Sequence, residues 1–283
     1  MGALDPRLNA VRPDLADAAL EGRVEAARFA TGEPVRIRAA SAPLRRHPAP
    51  DAPLDTEALM GEGARVFERA EGWAWLQLDA DGYVGYAPEE ALGPADAAPT
   101  HRVAALRTFV YPGPSIKLPP LAALSMGAAP AVATIEGEFA ALAGGGFVIA
   151  RHLVEIAHRA GDFVAEAERL LGAPYLWGGK TSLGLDCSGL VALALRQCGI
   201  PAPRDSDHQE AALGAPIAEA DALRRGDLVF WRGHVGVMRD ASTLLHANGH
   251  TMTVAGEPLA DAAARILAKG GGPVTARRRL AIS

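Results

Sequence analysis

Three side chains in the C-terminal part of the sequence could carry out nucleophilic chemistry together: Cys187, His234 and His246. A thiol needs a base to act as a nucleophile, and the base needs a neighbour that holds its tautomer. The run CSGLVALALRQCGIP reads as a helix that begins at Cys187 and is stopped by Gly199 and Pro201. At a helix start, unpaired N–H groups and the positive end of the macrodipole favour an anion. A thiolate is therefore expected at Cys187, with a lowered pKa. The plainer alternative is a small buried hydrophobe, as most cysteines are, and the residue alone does not decide between them.

The two histidines lie in strand-like runs. In HVGVM, residues His234, Gly236 and Met238 share one face by the period of two, and Gly236 leaves that face open beside His234. In STLLHANG, His246 shares a face with Leu244. A tight hairpin with Met238 opposite Ser242 sets His234 directly opposite His246, with Cβ atoms about 5 Å apart. A slip of one residue sends the rings to opposite faces. Either histidine alone reads more simply as a satisfied or surface residue, and His47, His101, His152, His158, His208 and His250 keep that reading.

The elements that must position these residues follow from periodicity. DFVAEAERLLG spaces its apolar residues as a helix behind an Asp162 N-cap, ended by Gly172 and Pro174. With the Cys187 helix and the strands GDLVFWRG, HVGVM and STLLHANG, this predicts an α+β unit over 158–283. Earlier, VRIRAA, ARVFERA, WAWLQLD and GYVGYAP predict a small all-β barrel over 33–97, with a hairpin at the DADG turn Asp79 to Gly82. The Pro- and Ala-rich APLRRHPAPDAPLDTEALM is expected as a surface loop. A second set of short runs over 98–157 reads as a degenerate duplicate of that barrel, and residues 1–32 form an N-terminal segment.

Composition narrows the function. With 283 residues, 49% apolar content and a net charge of -5, the chain has material for two or three domains and no basic field for nucleic acid. Its two cysteines form no disulfide framework; eleven helical residues separate them by roughly 16 Å, too far for a redox pair. No metal set is apparent, since cysteine spacing is unlike common zinc motifs. Gly144 to Gly146 and Gly270 to Gly272 lack the context of a phosphate loop. No cofactor is therefore expected. The apolar stretches are too short or too interrupted to span a bilayer, and the first twenty residues lack the n- and h-regions of a signal peptide, so a cytoplasmic protein is expected.

The motifs PYLWGG (174–179), LDCSGLV (185–191), PRDSDHQ (203–209), GDLVFW (226–231), GHVGVM (233–238) and LLHANG (244–249) together give the C-terminal region a family resemblance. It resembles NlpC/P60 cysteine peptidases of papain-like α+β fold, preceded here by two SH3-like (SH3b) barrels; the barrel resemblance rests on GWAWLQLDADGYVGYAP. The resemblance implies that Cys187 attacks a scissile carbonyl, His234 is its base and His246 orients His234. It also implies that the Cys187 N–H and the Tyr175 hydroxyl hold the oxyanion; a core aromatic is the alternative for Tyr175. The subgroup with SH3b domains resembles γ-D-glutamyl-L-diamino acid endopeptidases acting on murein tripeptides or tetrapeptides with a free N-terminal L-alanine. That implies Asp186, Ser188, Asp205 and Ser206 around the ammonium, and Glu62 with Tyr83 or Tyr86 at the far end of the site. The alternatives are capping, with Ser206 or Asp207 in a capping box with Gln209 or Glu210, and ordinary barrel-surface residues for Glu62 and Tyr86. Two other functions stay open: a Cys–His amidase or acyltransferase, and a wall-binding module around a retired peptidase.

Overall fold

A computed structural model describes residues 4–281; the first three residues of the N-terminal segment and the last two of the C-terminal region lie outside the described residues. The chain divides into two compact units, residues 1–157 and 158–283.

In the first unit, seven strands form one sheet in the order Leu54–Leu59, Ser41–Arg45, Val84–Pro88, Trp73–Leu78, Gly63–Ala70, Glu33–Ile37, Leu92–Pro94. Alternate residues turn inward, so Val35, Ile37, Ala64, Val66, Ala74, Leu76 and Leu78 share one core. The DADG segment turns the chain as a hairpin, with Gln77 paired to Val84 and Gly82 at φ 74°. The expectation of a surface loop at 42–60 is corrected: Ser41–Arg45 and Leu54–Leu59 pair as strands, and Ala42, Leu44, Ala58 and Leu59 are fully buried. The period-two pattern Ala42/Leu44 was masked by Pro43. A proline is tolerated on this strand, which meets Val84–Pro88 only through Arg45 and Tyr86.

Further along, His101–Val103 pairs with Leu153–Glu155, Arg107–Val110 with Ala122–Ser125, and Phe139–Leu142 lies between Val132–Glu136 and Phe147–Ile149. Both sets of strands end alike. A strand, a 3-10 turn and a short strand close back onto the first strand of the set, at 84–94 and again at 147–155. The N-terminal segment packs Ala10 and Leu15 against Phe67 and Trp75, with the Arg12 guanidinium 4.3 Å from the Trp75 ring centroid.

The second unit is α+β. Helix α1 (Phe163–Glu168) starts behind Asp162, whose carboxylate accepts from Val164 and Ala165 N–H at 2.8 and 3.2 Å. Helix α2 (Cys187–Gln197) is apolar nearly all round, with Leu190, Val191, Leu193, Ala194 and Leu195 at most 1% exposed, as befits a central helix. Each such leucine or valine contributes roughly 1.5–3 kcal/mol of burial. Helix α3 is Ser206–Ala212 and α4 is Leu259–Ala268.

Six strands form the sheet in the order Ala215–Pro216, Ala276–Arg279, Leu228–Trp231, His234–Met238, Thr243–Asn248, Thr253–Pro258. Helix α2 packs on the two histidine-bearing strands, while α4 lies against Thr243–Asn248 and Thr253–Pro258. Met238 pairs with Leu244 and Val237 with Leu245. The expected pairing of Met238 with Ser242 is thereby corrected by two positions. The connection is longer than a tight hairpin because the Asp240 carboxylate takes the N–H groups of Ser242 and Thr243 before the strand resumes. A shift of two keeps both histidines on one face but makes them diagonal neighbours.

Candidate active site

Cys187 is held at the first position of α2 by Asp186, whose Oδ1 accepts the Gly189 N–H at 2.7 Å. Gly189 is required there: a Cβ would lie 2.2 Å from the Gly179 carbonyl oxygen, so only glycine lets the Pro174–Gly179 loop cross the helix start. Asp186 carries more than a cap. Its Oδ2 accepts the Gly178 N–H at 2.9 Å, and Arg204 donates to Oδ1 and Oδ2 at 2.9 and 2.7 Å. Ser188 Oγ donates to Oδ1 at 3.2 Å and accepts from Arg204 at 3.0 Å. Five donors meet a carboxylate with about four lone-pair sites, so Asp186 is occupied internally rather than presented to a ligand.

Arg204 and Gln209 are the residues that sequence reasoning missed. The Arg204 side chain is 1% exposed and also reaches the Gly179 carbonyl, while Gln209 donates to the carbonyls of Ser188 and Pro203 at 3.0 and 2.9 Å. Together they tie the PRDSDHQ segment to the start of α2. The signal was an arginine one residue before an acidic pair. The capping-box alternative does not hold: Asp205, not Ser206 or Asp207, is the N-cap residue of α3, its side chain makes no capping bond, and Gln209 points to α2 instead. Ser206 opens α3 next to it.

His234 begins its strand directly after the Arg232–Gly233 turn, its ring 5.7 Å from that of Trp231 between centroids. Its Nε2 lies 2.8 Å from His246 Nδ1. Gly236 stands across from His246 once the register is continued, and a Cβ there would come within 2.6 Å of Leu244 and 3.2 Å of the His246 Cβ. Glycine is what lets the second ring pack this close. His246 is 1% exposed, and its Nε2 lies 2.7 Å from Glu257 Oε1. Arg265 of α4 clamps that carboxylate with both guanidinium nitrogens at 2.5 Å.

The electrostatics correct one expectation. Burial first, and then the Asp186 charge, push the Cys187 thiol up to about 12, against the N–H groups of Val235 and Ser188 and the charge of Arg204. The helix start is present, but a dipole worth at most ~2 kcal/mol does not outweigh desolvation. Burial, with the neighbouring His246 and Arg265, holds His234 down at about 3, and burial also lowers His246. The resting pair is a neutral thiol and a neutral imidazole, with the negative charge on Glu257, which Arg265 holds down to about 2. The strand that His234 opens packs on α2, and the N–H of Val235, the residue after His234, favours the charged form of the thiol.

Burial, and the nearby Cys187 and Asp186, raise the Tyr175 phenol to about 12. At that value the hydroxyl stays a neutral donor. Tyr175 is positioned by its own N–H, donated to the Met252 carbonyl at 2.9 Å. In the first unit, Glu62 is 4% exposed in the turn after Leu54–Leu59, Tyr83 belongs to the barrel core, and the Tyr86 hydroxyl accepts from Arg12 at 2.8 Å. The Asp205, Asp207 and His208 side chains bring potential ligand atoms within 4.8 Å of one another. This offers three ligands from one short turn, fewer than a structural zinc site uses.

Residues 172–263 match the family model described as NlpC/P60 family, and residues 44–92 match one described as bacterial dipeptidyl-peptidase Sh3 domain. The chain is 37% identical over 102 residues to dipeptidyl-peptidase 6 of Lysinibacillus sphaericus, covering 35% of this chain and 36% of that relative. It is 28% identical over 220 residues to the γ-D-glutamyl-L-lysine dipeptidyl-peptidase of Bacillus subtilis (strain 168), covering 69% of this chain and 72% of the relative. The matched region thus spans about a third of the first relative's length. A crystal structure of an NlpC/P60 family protein from Bacillus cereus ATCC 10987 superposes with a TM-score of 0.73 at 20% identity, covering 87% of this chain and 99% of the other, a likeness of fold. The buried thiol at a helix start and the paired histidines thus lie within residues 172–263, the region that matches the NlpC/P60 family, and a match to a bacterial dipeptidyl-peptidase Sh3 domain precedes it in the chain at 44–92.

Proposed function

We propose that this chain hydrolyses the γ-D-glutamyl bond to the diamino acid in murein tripeptides or tetrapeptides that carry a free N-terminal L-alanine. The observation that carries the reading is the hydrogen-bonded pair of His234 and His246 on strands that pack against α2, the helix that Cys187 opens. The relative named for γ-D-glutamyl-L-lysine dipeptidyl-peptidase activity supports the choice of bond.

The steps follow from the groups present. The Cys187 proton passes to His234 as Sγ adds to the γ-carbonyl carbon. The oxyanion is met by the Cys187 N–H and the Tyr175 hydroxyl, donors fixed before the charge develops. The imidazolium gives its proton to the departing amine, leaving a γ-glutamyl thioester. Water, deprotonated by His234, then releases L-Ala-D-Glu and the thiol.

Because Asp186 is taken up by Arg204, the substrate ammonium falls to Asp205 and Ser206, with the remaining lone pair of Ser188. The role of Asp186 then becomes one of positioning. A site selective for a free amine suits peptides already released from the wall, hence recycling.

The test is incubation of L-Ala-γ-D-Glu-diamino acid tripeptide with the protein, with products separated by chromatography. Release of L-Ala-D-Glu is expected, together with an uncut N-acetylated analogue. An intact tripeptide would overturn the reading, and equal cutting of the acetylated peptide would overturn its specificity.

A further inference from the structure

We propose that Glu257 is a positioning residue for this site: held by Arg265, its carboxylate fixes the proton of His246 on Nε2 and so leaves Nδ1 of His234 bare to act as the base. The inference rests on the reading of His234 as the base of Cys187.

The logic is a count of donors and acceptors. An ionised carboxylate only accepts, and Arg265 donates to both oxygens of Glu257. The 2.7 Å contact from Glu257 Oε1 to His246 Nε2 must therefore be an N–H of the histidine donating. A neutral His246 then has only a lone pair on Nδ1. That lone pair faces His234 Nε2 at 2.8 Å, so His234 must donate there, and the lone pair of a neutral His234 is left on Nδ1. The opposite tautomer of His246 would set two acceptors 2.7 Å apart in a buried place, leaving unmade bonds there. The charged groups facing the pair are Glu257, Arg265 and Asp186, with burial favouring the neutral rings.

The strands and α4 explain how Glu257 arrives. His246 pairs with Ala255 and Leu244 with Glu257, so Glu257 is the diagonal neighbour of His246 on the same sheet face. Met238 and Leu244 on that face pack with Ala262 of α4, which places Arg265 one turn further along the helix over Glu257. When the thiol proton moves to His234 Nδ1, the imidazolium keeps its Nε2–H on His246, and the carboxylate two bonds away stabilises the charge without taking a proton, as an aspartate does behind a catalytic histidine.

Two measurements test this. In wild-type protein with 15N-labelled histidine, the spectrum at pH 7 should show His246 protonated on Nε2 and His234 on Nε2. A His234 proton on Nδ1 overturns the proposal, whether or not the tripeptide proves to be a substrate. The second is Glu257→Gln. Its amide oxygen turns to Arg265 and its NH2 group to His246 Nε2, which forces the opposite tautomer on both rings. A fall in kcat of about 10²-fold or more is expected, by analogy with the ~10⁴ of a triad aspartate made amide. KM should be unchanged, and Glu257→Asp should recover much of the loss. A Glu257→Gln variant with wild-type melting and kcat within about threefold of wild type, a negligible ~0.7 kcal/mol, overturns it. Should the wild type cut no peptide, the rate of Cys187 alkylation by iodoacetamide replaces kcat, separating a failed substrate assignment from a failed role for Glu257.

Discussion

Replacing Arg204 by methionine should cost the second unit much of its stability and slow the chemistry of Cys187 at once. The substitution keeps the apolar stem and removes a guanidinium that is 1% exposed. That group makes two bonds to Asp186, at 2.9 and 2.7 Å, one to Ser188 at 3.0 Å and one to the Gly179 carbonyl at 3.2 Å. Without it, Asp186 keeps the N–H groups of Gly178 and Gly189 but loses its counter-charge while only 8% exposed. Removing one partner of a buried pair typically costs about 3–5 kcal/mol. For a unit of about 125 residues, an unfolding entropy near 2.1 cal/mol/K per residue turns that into a melting temperature lowered by roughly 11–19 °C.

The thiol should respond in the same variant. Asp186 raises the Cys187 pKa and Arg204 opposes it, so alkylation by iodoacetamide at pH 8 should slow. Adding Asp186→Asn should recover part of both losses, because a neutral amide needs no counter-charge. Thermal unfolding followed by circular dichroism, with alkylation rates on the same samples, makes the comparison. A fall of less than about 4 °C, near 1 kcal/mol, or no recovery on adding Asp186→Asn, would refute the reasoning.

Two further outcomes follow from the same geometry. His234 is held at about 3 by burial and its neighbours, so the acid limb of kcat/KM, where the base becomes protonated, should lie well below the ordinary histidine value; a limb at 6.5 would contradict the neutral resting pair. Tyr175→Phe removes the neutral hydroxyl that the proposed mechanism sets on the oxyanion, and kcat should fall about 10²–10³-fold with KM little changed. A rise in KM alone would assign Tyr175 to ground-state binding instead.

Several parts of the site are local enough to read from a short window of residues. The Cys187 helix, its Asp186 cap and the shared face of His234, Gly236 and Met238 depend only on neighbours two to four residues away. The same holds for the hairpin at Asp79 to Gly82 and the Asp162 cap. Misreadings arose where partners came from elsewhere. Pro43 suggested a loop, yet Ala42 and Leu44 found a core to fill. Gln209 looked like half of a capping box, yet its amide is drawn to Ser188 of another helix.

Sequence alone therefore singled out the candidate residues, because a thiol at a helix start and two histidines on strand faces are written in residue type and in spacings of two to four. Tertiary structure decided how they are charged and connected. The two-residue shift between the histidine strands made the rings diagonal, and the next strand and α4 supplied Glu257 and Arg265. Burial, which depends on everything packed around a group, turned an expected thiolate into a neutral thiol.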